Sequence, residues 1–314
     1  MTMRALVTGA DGFVGGVLCR HLAQSGWEVR MGVMRAAQES LAEFQCDITD
    51  AERVQALVAW AGPVDVVFHL AAVAFVPDSI QEPQKTLRVN VEGTMNLLQS
   101  CRAQLPESRF LFVSTSEVYG PPVELPVREN HPLNPQNPYT ISKAAADCYC
   151  AYVYESTGYD IVRMRPFNHS GPGQSDQFVL SSFARQLARA EAGVDKPLLR
   201  VGNLEARRDF LHVDDVVRAY ELAARNGAAG EVYNIASGQA VLIRDALDLL
   251  LRMGRVKMTV EPATERMRPV EVREVAGSSE RLTRATGWMP QRSLEALLTD
   301  VLNFWRAQEG VSAP

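Results

Sequence analysis

The feature of this 314-residue chain that most restricts its fold is a glycine run between a short apolar stretch and a helical pattern. The stretch Arg4–Thr8 is typical of a buried strand, and an amphipathic helical pattern follows from Val17. Glycine permits a tight turn between them and lets backbone N–H groups approach a pyrophosphate at the helix N-terminus. This order predicts a dinucleotide-binding unit. Its predicted cofactor contacts are Gly9, Gly12, Phe13, Val14 and Gly15.

Further apolar runs alternate with helical patterns along the first half of the chain. They are Glu28–Val33, Asp65–Leu70, Phe110–Ser114 and Asp160–Arg165. Neighbouring parallel strands need a crossover connection, which is usually a helix, so this alternation favours a parallel sheet covered on both faces. We therefore predict an α/β fold, a Rossmann-type doubly wound parallel sheet.

The character of the sequence changes after Pro166, where glycine and proline interrupt shorter segments. We predict a dinucleotide-binding domain over residues 1–166 and a smaller, mainly substrate-binding domain over residues 167–314. The apolar stretch Val232–Ile235 is typical of a buried strand, and we expect it to return to the main sheet.

Composition excludes several classes of function. The chain is 46% hydrophobic and 22% charged, with a formal net charge of −5, so it lacks the basic field that binds nucleic acid. No apolar stretch is long enough for a membrane span, and no signal-peptide core is present, so we expect a cytoplasmic protein. The five cysteines lack CxxC spacing, which favours free thiols and predicts neither a disulfide framework nor a metal site.

The end of the second predicted strand bears on the choice of cofactor. An acidic residue at this position binds the ribose 2′-hydroxyl of NAD, whereas an arginine accommodates the 2′-phosphate of NADP. Here the strand end carries no acid, and Arg35 follows it. We therefore expect NADP(H) to be favoured over NAD(H), with Arg35 as the contact.

A tyrosine and a lysine four residues apart, Tyr139 and Lys143, lie near the start of a long helical pattern. This spacing places them on one helix face, where the ammonium can lower the pKa of the phenol and hold the nicotinamide ribose. An unperturbed tyrosine, with a pKa of about 10, is a poor acid or base at neutral pH. Nearby, an apolar strand ends in hydroxyls and a carboxylate, at Ser114, Thr115 and Glu117. Ligands of doubly wound folds bind at this edge of the sheet.

Together these motifs resemble the extended short-chain dehydrogenase/reductases that act on nucleotide sugars, over nearly the whole chain. The resemblance implies that Tyr139 exchanges a proton with the reacting sugar oxygen, which Thr115 hydrogen-bonds. It implies a structural role for Asn90 near Lys143, and a homodimer through a four-helix interface that includes the helices of Asn90 and Tyr139. The other implied cofactor contacts are Asp47, Ile48, Leu70, Ala71, Ala72, Asn90, Ser114 and Pro166.

Segments in the second half resemble the GDP-mannose branch of this family, and imply a GDP-linked hexose as substrate. Arginine forms paired hydrogen bonds with phosphate oxygens, so we expect Arg208 and Arg268 to bind the diphosphate. Asn168 would donate nearby, Glu271 would suit a ribose hydroxyl, and Ser116 would contact the sugar.

The resemblance leaves more than one reaction open. We favour a GDP-4-keto-6-deoxy-D-mannose reductase that forms GDP-D-rhamnose, because the chain is short and the stretch after Asn168 lacks the paired arginines of the dehydratases. The alternative is a GDP-mannose 4,6-dehydratase, or a bifunctional enzyme, with Glu117 as a general base at a neighbouring carbon. As a third role Glu117 would simply bind a sugar hydroxyl. Two further hypotheses are a nucleotide-sugar 4-epimerase and a non-catalytic NADP-sensing protein.

Overall fold

The computed structural model describes residues 2–35, 42–263 and 272–311. The strands, in chain order, are β1 (Arg4–Thr8), β2 (Glu28–Val33), β3 (Glu43–Gln45), β4 (Val66–His69), β5 (Arg109–Val113), β6 (Ile161–Pro166), β7 (Asn168–Ser170), β8 (Leu198–Val201), β9 (Arg207–His212), β10 (Val232–Ile235), β11 (Ala240–Leu242) and β12 (Thr259–Pro262). The α-helices are α1 (Phe13–Gln24), α2 (Ala51–Ala61), α3 (Val76–Gln81), α4 (Pro83–Leu87), α5 (Gly93–Gln104), α6 (Pro138–Thr157), α7 (Val179–Glu191), α8 (Val213–Asn226), α9 (Ile243–Arg252), α10 (Glu280–Thr286) and α11 (Leu294–Gln308).

A seven-stranded parallel sheet forms the centre of the molecule, with strand order β10-β6-β5-β4-β1-β2-β3. The order reverses at β1, where Ala5 lies opposite Val29 of β2 on one side and Val66 of β4 on the other. Ligands of such sheets bind at the carboxyl ends of the strands beside this reversal. The predicted Rossmann-type doubly wound sheet is confirmed, and β10 returns to it as expected.

Helices cover both faces of this sheet. Helices α1 and α8 pack on one face through residues such as Leu18 and Val216. Helices α2, α5 and α6 pack on the other through residues such as Leu57 and Leu97. All four residues of β4 are buried, as expected for a strand covered on both sides.

A smaller lobe, which we call the second lobe, packs against the carboxyl edge of the sheet. It contains α7, α9 and α11, which share an apolar core with β8. It also contains the paired strands β8 and β12, and a small sheet of order β11-β9-β7. Helix α8 and strand β10 follow residue 166 but pack with the main sheet. The predicted division at residue 166 stays a prediction.

The cysteines are free, and only Cys148 is exposed. Across residues 2–35, 42–263 and 272–311, no helix combines the length and the apolar character that a membrane span requires. The same described ranges contain no cluster of three or more potential metal-ligating side chains.

A buried hydrogen-bonded chain joins the sheet to α5. The hydroxyl of Thr94 donates to the carbonyl of Asn90 at 2.7 Å, so its oxygen accepts from Nε2 of His69 at 2.9 Å. Nδ1 of His69 then accepts from the hydroxyl of Thr8, 2.8 Å away. Burial, aided by the nearby Lys143 charge, lowers the pKa of His69 to about 3. The imidazole is therefore neutral and fixes the ends of β1 and β4 to the helix.

This depressed pKa predicts a pH-dependent stability. An unfolded histidine takes up a proton near pH 6.5, whereas folded His69 resists protonation until about pH 3. Stability is therefore lost as the pH falls below about 6.5, by about 2 kcal/mol at pH 5. We expect the free energy of unfolding in urea to fall less between pH 7 and pH 5 for His69→Gln than for the unmodified protein. Equal losses in the two proteins would contradict this account.

Candidate active site

The turn after β1 brings backbone segments into unusually close contact. Gly9 has a φ of +70°, and a Cβ built on it would lie 2.7 Å from the backbone nitrogen of Ala71. A Cβ on Gly15 would lie 2.0 Å from the carbonyl oxygen of Gly9. Gly12 is the N-cap of α1 and has no side chain to cap the helix, and the first turn of α1 carries no acid among its described residues. The backbone N–H groups of this first turn therefore suit a dinucleotide pyrophosphate.

The predicted adenine-side residues lie at the ends of β2 and β3. The carboxylate of Asp11 accepts the backbone N–H groups of Met34 and Arg35, at 3.1 and 3.2 Å, and so holds the end of β2. The Arg35 side chain is exposed. Asp47 is also exposed, and its carboxylate accepts from the backbone and hydroxyl of Thr49. Ile48 is buried.

The segment Leu70–Ala72 passes beneath the glycine turn, as the contact between Gly9 and Ala71 requires. Its residues are half-buried. Ser114 and Pro166 are buried at the ends of β5 and β6. The predicted cofactor residues in the described ranges thus come together along the carboxyl edge of the sheet.

Helix α6 begins where the sequence predicted, because Asn137 caps it and Pro138 stands in its first turn. Tyr139 is half-buried, and Lys143 is only 4% exposed. The Lys143 ammonium donates to the carbonyl of Val113 and lies 4.3 Å from the ring centroid of Phe112. Burial lowers the pKa of Lys143 to about 8, although Cys150 and Asp147 oppose the shift.

The pKa of Tyr139 is raised, not lowered. Burial is the main cause, the negative charge of Glu117 adds to it, and a hydrogen bond with Thr115 opposes both. Our prediction that Lys143 lowers this pKa is wrong for this structure, because the ammonium is directed to the Val113 carbonyl. Tyr139 is therefore held in its proton-bearing form.

The hydroxyls and carboxylate after β5 lie beside Tyr139. A short 3₁₀ turn spans Ser116–Tyr119, and the hydroxyl of Thr115 caps it by accepting the N–H of Glu117 at 3.2 Å. Ser116 is buried, whereas Glu117 is exposed. Because Thr115 and Glu117 both act on the pKa of Tyr139, these three of the four predicted catalytic side chains lie close together.

Asn90 joins the loop after β4 to the catalytic helix. Its side-chain oxygen accepts the N–H of Val73 at 2.8 Å. Its amide group donates to the carbonyl of Val73 at 3.0 Å and to the hydroxyl of Ser142 at 2.8 Å. Ser142 precedes Lys143, so Asn90 lies near the lysine and positions the segment that carries it.

Two contacts of the catalytic helix were absent from our sequence predictions. The hydroxyl of Ser79 accepts the backbone N–H of Tyr139 at 3.2 Å. Buried Asp147 accepts two hydrogen bonds from Arg165, both 2.9 Å, and one from Arg163 at 3.1 Å. Asp147 follows Lys143 by four residues, so same-face spacing could have indicated it. No pattern in the sequence indicates Ser79.

The predicted substrate residues lie partly in the described ranges. Asn168 of β7 pairs with Phe210 of β9, so Asn168 and Arg208 lie on one face of the small sheet. Arg208 is half-buried, and its Nη1 donates to the carbonyls of Arg207 and Val272. The expected contacts Arg268 and Glu271 lie outside the described residues.

Comparison with known proteins agrees with this geometry. A family model described as GDP-mannose 4,6 dehydratase matches residues 6–301. The GDP-6-deoxy-D-mannose reductase of Pseudomonas aeruginosa is 38% identical over 98% of this chain and 99% of its own length. A solved structure of RMD from Pseudomonas aeruginosa, complexed with NADPH, superposes with a TM-score of 0.88 at 37% identity, covering 98% of this chain and all of that one. The UDP-glucose 4-epimerase of Thermus thermophilus, complexed with NAD, gives a TM-score of 0.85 at 27% identity, covering 97% and 99% of the two chains.

The hydrogen bonds of the Asn90 side chain predict that its removal lowers the stability of the protein considerably. Asn90→Ala removes the three hydrogen bonds of a buried side chain, two of them to the half-buried Val73 backbone, so we expect the free energy of unfolding in urea to fall by about 2 to 4 kcal/mol. Asn96→Ala is the matched control, because Asn96 makes a single bond to the carbonyl of Ile48. We expect it to cost about 1 kcal/mol. Similar losses for the two variants would argue against a special role for Asn90.

Proposed function

This chain belongs to the GDP-mannose 4,6-dehydratase family, and we propose that it is an NADP(H)-dependent GDP-4-keto-6-deoxy-D-mannose reductase that forms GDP-D-rhamnose. The observation that carries the proposal is the grouping of Tyr139, Thr115 and Glu117 at the carboxyl edge of the sheet, where Thr115 hydrogen-bonds the protonated phenol of Tyr139. Reduction of a ketone needs a proton donor at the carbonyl oxygen. The full-length similarity to a GDP-6-deoxy-D-mannose reductase supports the same reaction.

The chain's own groups account for the proton half of this reaction. When bound, the nicotinamide cofactor supplies the hydride. Tyr139 donates its proton to the C4 oxygen of the sugar, and Thr115 hydrogen-bonds the same oxygen. Lys143 lies on the same face of α6 as Tyr139, and its ammonium, which donates to the carbonyl of Val113, would hold the nicotinamide ribose.

Dehydration of GDP-mannose is the second candidate, and one observation favours it. It requires a base for the C5 proton, and the carboxylate of Glu117 is exposed close to Tyr139. We give it second place because the same charge raises the pKa of Tyr139 and opposes its use as a base for the initial oxidation. An epimerase has no need of Glu117, and a non-catalytic protein has no need of the Thr115, Tyr139 and Lys143 set.

We propose that NADP(H) is preferred over NAD(H). Arg35 is exposed just beyond β2, where a 2′-phosphate would need a cation, and Asp11 is engaged by backbone N–H groups. The Pseudomonas aeruginosa structure is complexed with NADPH and the Thermus thermophilus one with NAD, so relatives of this fold use both.

We also propose a homodimer through a four-helix interface built from the helices of Asn90 and Tyr139. Helix α6 exposes apolar side chains along one stripe, including Ile141 and Tyr152, the latter 64% exposed. Leu87 of α4 is exposed on the neighbouring helix. Burial of these side chains between two copies would remove an apolar surface from water.

The first test supplies the two candidate substrates in separate tubes. We expect the 4-keto-6-deoxy sugar nucleotide to consume NADPH stoichiometrically and GDP-mannose with NADP⁺ to lose no water, as measured by absorbance and product mass. Tyr139→Phe should lower turnover by about 10²- to 10⁴-fold while cofactor affinity is retained. Water loss from GDP-mannose without net cofactor change would establish the dehydratase instead.

The second test concerns Glu117. Burial keeps Tyr139 protonated at neutral pH with or without the charge of Glu117, so Glu117→Gln should leave the pH-rate profile near neutral pH unchanged, with only a modest loss of reductase turnover. Glu107→Gln, which removes an exposed carboxylate from the opposite end of β5, is the control and should leave the profile unchanged. A complete loss of turnover in Glu117→Gln would favour a base role and dehydration.

The third test concerns the cofactor. Arg35→Ala should weaken NADPH binding by about 1 to 3 kcal/mol in a calorimetric titration and leave NADH binding nearly unchanged. Arg30→Ala is the control, because Arg30 lies in β2, five residues before Arg35, and pairs with Glu28. Equal affinity of the unmodified protein for the two cofactors would refute the preference.

A further inference from the structure

Two phenylalanines from different parts of the molecule meet where the second lobe contacts the main-sheet side. Phe75 lies between β4 and α3, on the side of the main sheet, and Phe178 immediately precedes α7 of the second lobe. Their ring centroids are 5.8 Å apart with an interplanar angle of 68°, an edge-to-face contact. Because each ring comes from a different side, the pair forms a contact between the main-sheet side and the second lobe.

Phe75 is held close to the catalytic tyrosine. The carbonyl of Phe75 accepts the N–H of Ser79 at 3.2 Å, and the hydroxyl of Ser79 accepts the N–H of Tyr139 at 3.2 Å. Ser79 is fully buried, so this connection is shielded from water. Phe75 is therefore one helical turn from Ser79, which binds the backbone of Tyr139 in the first turn of α6.

Phe178 is held close to the predicted sugar-nucleotide segment. The side chain of Gln174 donates to the carbonyl of His169 and accepts from the hydroxyl of Ser170, directly after Asn168. The backbone carbonyl of Gln174 in turn accepts a hydrogen bond from the hydroxyl of Ser181, in the first turn of α7. The start of α7, with Phe178, is thereby tied to the loop that follows Asn168.

The two phenylalanine side chains are partly exposed to solvent. Phe178 is 38% exposed and Phe75 is half-buried, although both are large apolar side chains. Ser79 connects this surface to the backbone of the Tyr139 segment. Such a surface suits an apolar part of a substrate and disfavours a hydroxyl, which would lose its hydrogen bonds to water.

We propose that Phe75 and Phe178 form an apolar wall that receives the C6 methyl group of a 6-deoxy sugar and so select against sugars with a 6-hydroxyl. The inference rests on the proposed function, because it takes the substrate to be a GDP-linked hexose. A hydrophobic pocket discriminates against an added hydroxyl by up to about 100-fold. We therefore expect at least about a tenfold preference for the 6-deoxy sugar.

The test compares two ligands that differ only at C6. The dissociation constants of GDP-D-rhamnose and GDP-mannose are measured by calorimetry, without turnover, for the unmodified protein and for variants. We expect the preference for GDP-D-rhamnose to fall to about twofold in Phe178→Ala and in Phe75→Ala. Phe178→Leu, which keeps an apolar side chain, should retain most of it. Phe304→Ala removes a half-buried phenylalanine from α11 of the same lobe, and should leave the ratio unchanged.

Three outcomes would overturn the inference. If both alanine variants lower the affinity for the two GDP-sugars by the same factor, the phenylalanine pair only joins the lobes. If the unmodified protein reduces the 4-keto-6-deoxy sugar but binds the two GDP-sugars equally, the wall is wrong and the proposed function stands. If it binds neither GDP-sugar, the proposed substrate is wrong and the wall is wrong with it.

Discussion

The close approach of two backbone segments, the turn after β1 and the end of β4, sets the position of the rest of the site. A Cβ on Gly9 would meet the backbone of Ala71, and one on Gly15 would meet the carbonyl of Gly9. Backbone atoms cannot move aside as a flexible side chain can, so only glycine fits these two positions. The segment after β4 then continues to Val73, where Asn90 fastens it to the catalytic helix.

Burial governs the electrostatics of this site. It lowers the pKa of Lys143 to about 8 and raises that of Tyr139, so both shifts favour uncharged side chains. Asp147 behaves differently, because the hydrogen bonds and charge of Arg165 outweigh burial and lower its pKa. A charged pair thus anchors the middle of α6, while Tyr139 keeps its proton. That division suits a site that donates a proton to a ketone.

The sequence predicted local features well. The glycine turn, the start of α6 close to Tyr139 and the return of Val232–Ile235 to the sheet each depend on a few neighbouring residues. The direction of the Lys143 ammonium depends on a carbonyl thirty residues away in β5, and the role of Ser79 on a helix sixty residues away. Such long-range contacts leave no periodicity or spacing in the sequence, so our prediction for the pKa of Tyr139 took the wrong direction.

The most direct test of the central claim, hydride transfer to a ketone with a proton from Tyr139, follows deuterium by mass spectrometry. The 4-keto-6-deoxy sugar nucleotide is supplied with NADPH deuterated at the transferred position, and GDP-mannose is incubated separately with NADP⁺ in D₂O. We predict that the first reaction yields a sugar with one carbon-bound deuterium from the cofactor, and that the second yields no deuterated sugar. A 6-deoxy product from GDP-mannose with solvent deuterium bound to carbon, and no label transferred from the cofactor to the ketone, would contradict the account.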